Sequence, residues 1–340
     1  MSFLEKILKL IKKHSKISQF LSLCTLFFLS HLIYSYVLPL PAREWINSNL
    51  KKIQSGEYNK FSFALFGGNN ADNMVFEDLL KQIDHDPDIL FAFDLGDAVM
   101  KGRKPYYQYF IKQVNSNLGI PLLTLIGENE VTGEGRDLYQ KILGPFYYSF
   151  KIGRDFFIVI DNAEEKDLDK QQIEWLENEL KKVNDPENCI IFMHRPFYMP
   201  GESKNSHFMS DQISLKLFNL FLNYHVSHIF ASGINGFYDG EFKGIPYTVT
   251  GGAGGVPDNS GSVSYFNFLK VRVEKNIIHI EMKKVYMPGH TQVNSLKYRV
   301  MAYADNMIGV HRTELTLMVI IFLSFAVWNI YTRKKKSGAN

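Results

Sequence analysis

Cysteine is almost missing from this chain, with two in 340 residues. Cys24 lies in an uncharged N-terminal run and Cys189 in the apolar stretch CIIFMH. The segment between the two ends therefore has one cysteine and no internal disulfide to hold it. Cys189 itself reads as a small buried hydrophobe. An excess of one charge sign is missing too. Lys and Arg number 38 against 35 Asp and Glu, a net charge of +3, which excludes the basic field of a nucleic-acid binder. Internal repeats and low-complexity tracts are also missing, which excludes solenoids and disordered chains. Apolar and aromatic residues are plentiful instead: 46% of the chain is hydrophobic, with 27 Phe and 18 Tyr. That composition suits a large β-containing core.

The apolar residues are unevenly spread, and the two ends hold long uncharged runs. From Ile17 to Ala42 there is no Asp, Glu, Lys or Arg, and FLSLCTLFFLSHLIYSYVLPL is long enough to span a bilayer. A second run, LTLMVIIFLSFAVWNIYT, covers Leu315 to Thr332, 18 residues. At the helical rise it extends ~27 Å, close to the hydrocarbon thickness. Trp328 and Tyr331 sit at one edge, as interfacial anchors do. A cleaved signal peptide fits the first run poorly, because sixteen residues precede it and PLPAREW lacks a small-x-small site. A buried core helix fits the second poorly, because it has no polar face and ends in RKKK. Lys6, Lys9, Lys12, Lys13 and Lys16 precede the first run, and Arg333 to Lys336 follow the second. By the positive-inside rule both termini are cytoplasmic and the domain between them is extracytoplasmic, that is periplasmic, extracellular or lumenal. The expected organisation is a basic segment 1–16, a transmembrane helix 17–40, a domain 45–290, a linker 291–314, a transmembrane helix 315–332 and a basic tail 333–340. FLEKILKLIKK has the pattern of an amphipathic helix, either on the inner leaflet or simply solvated.

Within the domain, short apolar runs alternate with helical periodicity. FSFALF reads as a strand entering a Gly/Asn loop, and MVFEDLLKQI places Val75, Leu79 and Ile83 on one helical face. DILFAFDLGD and PLLTLIGENE read as strands, with a helix in PYYQYFIKQVNSNLG between them. FYYSFKIGRDFFIVIDN reads as a hairpin turning at Gly153 and Arg154. In DLDKQQIEWLENELKK, Asp169 and Gln172 have capping-box spacing, and Ile173, Leu176 and Leu180 form a stripe. Trp175 and Leu176 are expected to be buried against the sheet. Strand CIIFMH, helix DQISLKLFNLFLNYH and strand VSHIFASG follow. A meander of IPYTVTGG, YFNFLKVRV and IIHIEMKKV closes the domain. This is an α/β pattern whose site belongs at the strand-to-loop junctions.

Five such junctions stand in chain order: ALFGGNNAD, DLGDAV, IGENEV, FMHRPFY and ASGINGFYDG. With YYSFKIGRDFFIVIDN, QQIEWLENEL and IPYTVTGGAGG between and after them, this order resembles the calcineurin-like metallophosphoesterases, the purple acid phosphatase superfamily. The resemblance covers about residues 60 to 285. It implies a β-sandwich flanked by helices, here with one transmembrane helix at each end. It also implies two metal ions that activate a bridging hydroxide and clamp a phosphate. The family's ligands are Asp-x-His after the first strand, Gly-Asp after the second and Gly-Asn-His-Asp/Glu after the third. A lone His follows the fourth strand and Gly-His-x-His the fifth.

Carried over position by position, most of these are replaced. Gly68 stands where the first Asp is expected and Asn70 where its His is expected. Asp97 is kept at the bridging position. Glu128 replaces the ligand Asn, and Asn129 replaces the assisting His. His194 is kept, while Ile234 and Gly236, or near neighbours, stand in for the last two histidines, with Asn235 between them. One metal position retains only Asp97. The other retains Asp97 and His194, with Glu128 as a possible oxygen donor. The resemblance therefore predicts a residual site of Asp97, Glu128, Glu130, His194, Asn70 and Asn235. Either no metal binds, or a single Mn, Fe or Zn is held weakly by Asp97, Glu128 and His194. Glu128 and Glu130 are either an acid/base pair or ordinary loop carboxylates. GGAGG reads as a tight loop lining the site. The expectation is a membrane protein with a catalytically degenerate phosphoesterase domain, used for binding or scaffolding. The alternative is an active phosphoesterase with a rearranged or mononuclear centre. A protein partner and a phosphate-containing ligand both remain open.

Overall fold

In the computed structural model, the described residues are 39–56, 58–69, 73–164, 168–182, 188–196, 211–242, 244–255, 266–285 and 296–337, with Phe20, Cys24, Phe27 and Phe28. The expected basic segment 1–16 and nearly all of the expected first span 17–40 lie outside them, as does Asn70.

Residues Leu40–Asn306 form one unit built on two stacked sheets. The first has five strands in the order β11-β10-β1-β2-β3: Ile277–Lys284, Asn267–Glu274, Lys60–Phe66, Ile89–Asp94 and Leu122–Thr124. The second has six in the order β4-β5-β6-β7-β9-β8: Tyr148–Ile152, Asp155–Val159, Cys189–Phe192, His228–Ala231, Ile245–Thr250 and Phe237–Phe242. Strands β1, β2 and β3 run parallel, as do β5, β6, β7 and β9. Parallel strands covered on both faces read as continuous apolar runs rather than alternating ones. That explains why CIIF and DFFIV are buried at every position.

Phenylalanine joins the sheets. Phe63 of β1 stacks on Phe91 of β2 at 5.1 Å between ring centroids and meets Phe157, Phe192 and Phe230 of the second sheet edge-on at 6.0–6.3 Å. Phe93 stacks on Phe192 at 4.2 Å. Six rings of this size bury several hundred square ångströms of apolar surface, the dominant favourable contribution in this layer. The outer face of the second sheet is covered by helices Lys170–Lys181 and Asp211–Asn223, through Leu176, Leu180, Leu217 and Phe221 against Ile158, Ile191 and Ile229.

The expected hairpin is present, with Ile152 opposite Asp155 across the Gly153–Arg154 turn. In helix Lys170–Lys181 the Asp169 carboxylate caps the amide of Gln172 at 2.7 Å. Trp175 is a correction: it is only half-buried and lies against Tyr147 at 4.7 Å, while Leu176 is fully buried. The indole projects from the rim of the helix's apolar stripe, one position off the face that Ile173, Leu176 and Leu180 present. Three helices were not expected: Trp45–Gln54, Gly135–Ile142 and Leu296–Val310, the last of them within the expected linker 291–314. The third expected strand is reduced to Leu122–Thr124, and the rest of PLLTLIGENE is loop.

At the C-terminal end, helices Leu296–Val310 and Arg312–Ser337 are the last two elements, and the second contains the apolar stretch 315–332. Among the described residues no single helix is long and apolar enough to cross a membrane. A pair bent by 75°, Tyr303–Val310 with Arg312–Ser324, meets the criterion of length and composition together.

Candidate functional site

The loops that leave β1, β2, β3, β6, β7 and β9 cross over one another. The Gly68 amide donates to the Gly96 carbonyl at 3.1 Å, and the Ser232 amide to the His194 carbonyl at 2.9 Å. The GGAGG loop returns over β1: the Ala253 amide bonds the Gly67 carbonyl and the Gly255 amide bonds the Gly68 carbonyl at 2.6 Å. A Cβ on Gly96 would stand 2.7 Å from His194 Nδ1, and one on Gly255 would stand 2.3 Å from Asn235 Oδ1. Only glycine allows these approaches.

Asp97 and His194 come together at the centre. His194 is fully buried, and its Nδ1 lies 2.8 Å from the Leu95 carbonyl. A carbonyl accepts only, so Nδ1 carries the proton and Nε2 presents a lone pair while the ring is neutral. That Nε2 has no hydrogen-bond partner and lies 3.6 Å from Asp97 Oδ1. The same Asp97 oxygen accepts from the Asn129 amide at 2.9 Å. Asp97 also adopts φ 59, a left-handed conformation that is uncommon for a residue with a side chain.

Glu130 holds this turn in place. Its buried carboxylate accepts from the amides of Asp97 (2.9 Å) and Gly127 (2.7 Å) on one oxygen and from Val99 (2.8 Å) on the other. One side chain from the third junction thus satisfies three amides of the second and third. Burial, followed by the charge of Asp97, pushes the Glu130 carboxyl up to about 8, against the pull of the three N–H donors. Neighbouring Asp94 is fully buried and pushed well above the ordinary carboxylate range, chiefly by burial and then by Glu130. Of the two readings of the GENE carboxylates, Glu130 is a structural loop carboxylate.

Glu128 behaves differently. It is a third exposed and lies 3.3 Å from Nη2 of Arg195, whose side chain is buried. Among the described residues no group of three or more His, Cys, Asp or Glu side chains is arranged to hold a metal ion, so Asp97, Glu128 and His194 do not form one. Ile234 is buried among the apolar residues on the outer face of the second sheet. Gly68 offers no side chain, and its φ of 67 opposes one. Asn235 is half-buried, its carbonyl oxygen 3.1 Å from where a Gly68 Cβ would be. The dinuclear centre implied by the resemblance does not fit these residues. Among the described residues, Asp97 and His194 are the carboxylate and imidazole kept at ligand positions, where two hard or borderline cations need several anionic and imidazole donors.

Sequence reasoning missed three contributors. Asn162 accepts the amides of His194 and Arg195 and donates to the Arg195 carbonyl, which fixes the fourth junction. Arg195 and Asp94 are the other two. Each follows or ends a strand that was read correctly, but the pairing of Arg195 with Glu128, 67 positions away, has no local signal.

No family model matches the chain. A purple acid phosphatase of Glycine max is 31% identical over 112 residues, 32% of this chain and 24% of that protein. The match spans about a quarter of that relative's length. Among solved structures, the purple acid phosphatase PPD1 of yellow lupin (Lupinus luteus) superposes with a TM-score of 0.58 at 17% identity, covering 68% of this chain and 52% of that one. GAP50, the anchor in the inner membrane complex of Plasmodium, superposes with a TM-score of 0.51 at 16% identity, covering 71% of this chain and 94% of that one. Together with the two sheets and the ordered junctions, these likenesses show that the domain has the fold of the calcineurin-like metallophosphoesterases.

Proposed function

We propose that the chain is a membrane-anchored protein whose phosphoesterase-fold domain has lost catalysis and serves in binding or scaffolding. The observation that carries this reading is the use of the site's carboxylates. Glu130 is engaged by three backbone amides and Glu128 by Arg195, which leaves Asp97 and His194 as the residual pair. Phosphoryl transfer in this superfamily relies on cations that neutralise the developing charge, and this donor set does not supply their ligands. The likeness to GAP50, the anchor in the inner membrane complex of Plasmodium, supports a membrane-held role. The lysine flanks and the apolar stretch 315–332 support two spans with both termini cytoplasmic and the domain on the other side.

A second reading has one observation in its favour. The buried, unpartnered Nε2 of His194 facing Asp97 suits a single weakly held cation. Elemental analysis of the purified full chain, with an aryl-phosphate assay alongside it, separates the two. The expected result is substoichiometric Mn, Fe or Zn and hydrolysis no faster than buffer. One bound metal with turnover lost on Asp97→Ala would establish the second reading instead. A pair of tightly bound metals would overturn the proposal outright.

A further inference from the structure

We infer that helix α7 (Leu296–Val310) is an interfacial helix whose apolar face lies on the bilayer surface beside the point where helix α8 (Arg312–Ser337) enters it. This inference rests on the membrane-anchored reading above and specifies which residues meet lipid. Val300, Met301, Tyr303 and Ile308 are 59%, 50%, 54% and 54% exposed. With Ala304 and Met307 they fall at positions i, i+1, i+3, i+4, i+7 and i+8, one continuous face at 100° per residue. Asn306 lies on the opposite side and is buried, so the apolar face is the one turned outward.

Covalent continuity identifies the occupant. Immediately after His311, α8 exposes Leu315, Met318, Val319, Ile320, Phe322 and Leu323, all between 40% and 65%. These positions cover a little over half of the helix's circumference, and the half-buried Leu317 and Ile321 on the remaining side are apolar too; a helix that is apolar all round requires an apolar medium. The uncharged stretch from Leu315 to Thr332 is followed by Arg333 to Lys336, a cationic stop suited to headgroups. If α8 crosses the bilayer, the outward face of α7 is tethered within one helical turn of the hydrocarbon boundary. The 75° bend between Tyr303–Val310 and Arg312–Ser324 then turns α7 close to the membrane plane. An apolar face of this width at headgroup depth is the pattern of an in-plane helix.

The test uses the full chain with Cys24→Ser and a single new cysteine, either Ile308→Cys or Phe322→Cys, carrying an environment-sensitive fluorophore. Native Cys189 stays unlabelled, because it is buried and its thiol is pushed up to about 12. The protein is reconstituted in phosphatidylcholine vesicles with quenchers held near the headgroups or deep in the acyl chains. The label at 308 is expected to lose more emission to the shallow quencher, and the label at 322 more to the deep one. A label at 308 quenched only by aqueous iodide, with the label at 322 still quenched from the acyl chains, would overturn the inference while leaving the anchor in place. A label at 308 shielded from both iodide and lipid quenchers would assign the face to protein and overturn it too. Both labels reached only from water would remove the membrane-anchored reading itself.

Discussion

At the scale of single residues, Glu130 makes the contacts most sensitive to change. Its two oxygens accept three buried amides, and an amide side chain of the same shape presents a donor where one of those oxygens was. Glu130→Gln should cost ~1–3 kcal/mol, the size expected for leaving a buried N–H unpaired. The check is the urea midpoint; an unchanged midpoint would mean the loops are held by something else. Gly68 constrains attempts at rescue. A Cβ there would meet Asn235 Oδ1 and the Gly251 carbonyl at 3.1 Å in a backbone with positive φ, so Gly68→Asp does not simply restore a ligand.

His228 is the second such residue. It is buried on β7 with Nε2 2.8 Å from Thr248 Oγ1, and burial pushes it down from 6.5 to about 3. The folded chain therefore keeps the ring neutral where the unfolded chain protonates it. The stability this gives is complete above the ordinary value of 6.5 and is lost as the pH falls from there toward about 3. The maximal slope is about 1.4 kcal/mol per pH unit. His228→Gln should flatten the acid limb of a stability–pH curve by that amount, and parallel curves for the two proteins would contradict the assignment.

At the scale of elements, the inner and outer surfaces of the sandwich should respond unequally. Phe63 is fully buried among four rings, so Phe63→Ala should destabilise by ~3–5 kcal/mol. Trp175 is half-buried with Tyr147 as its ring partner, so Trp175→Ala should cost only about 1–2 kcal/mol despite the larger side chain. Denaturant titrations of the two variants test the order, and a larger loss for Trp175 would place the indole in the core. The helix Trp45–Gln54 shows how an element escapes notice. Its apolar contacts, Ile46 and Ile53, are few, and it is seated by polar bonds, with Trp45 Nε1 and Asn49 Nδ2 both donating to the Leu122 carbonyl. Hydrophobic periodicity carries no trace of such bonds.

At the scale of the whole molecule, the distribution of basic residues leads to the remaining prediction. A reporter fused after Asn340 should report cytoplasm, and one inserted at Asp258 should report the opposite side. Both on one side would remove the two-span arrangement, though not the sandwich, whose residues lie between the ends.

Much of the sandwich is legible in the sequence, because burial on both faces writes itself into sequence. FALF, FAFD, CIIF and HIFA are largely apolar runs, and each lies in a strand. Local chemistry was legible for the same reason: the Asp169 cap and the Gly153 turn depend on neighbours within a few positions. The residue types at the junctions also showed which expected ligands were replaced. What the surviving groups do was decided only in three dimensions. Glu128 and Glu130 are two positions apart and chemically alike, yet one lies beside Arg195 near solvent and the other is sealed beneath three amides. Their partners come from elsewhere in the chain, up to 67 positions away, so the difference arises from how the loops cross above the sheets. Partners that distant come within hydrogen-bonding range only once the sheets are stacked, and local pattern cannot encode the distance between them.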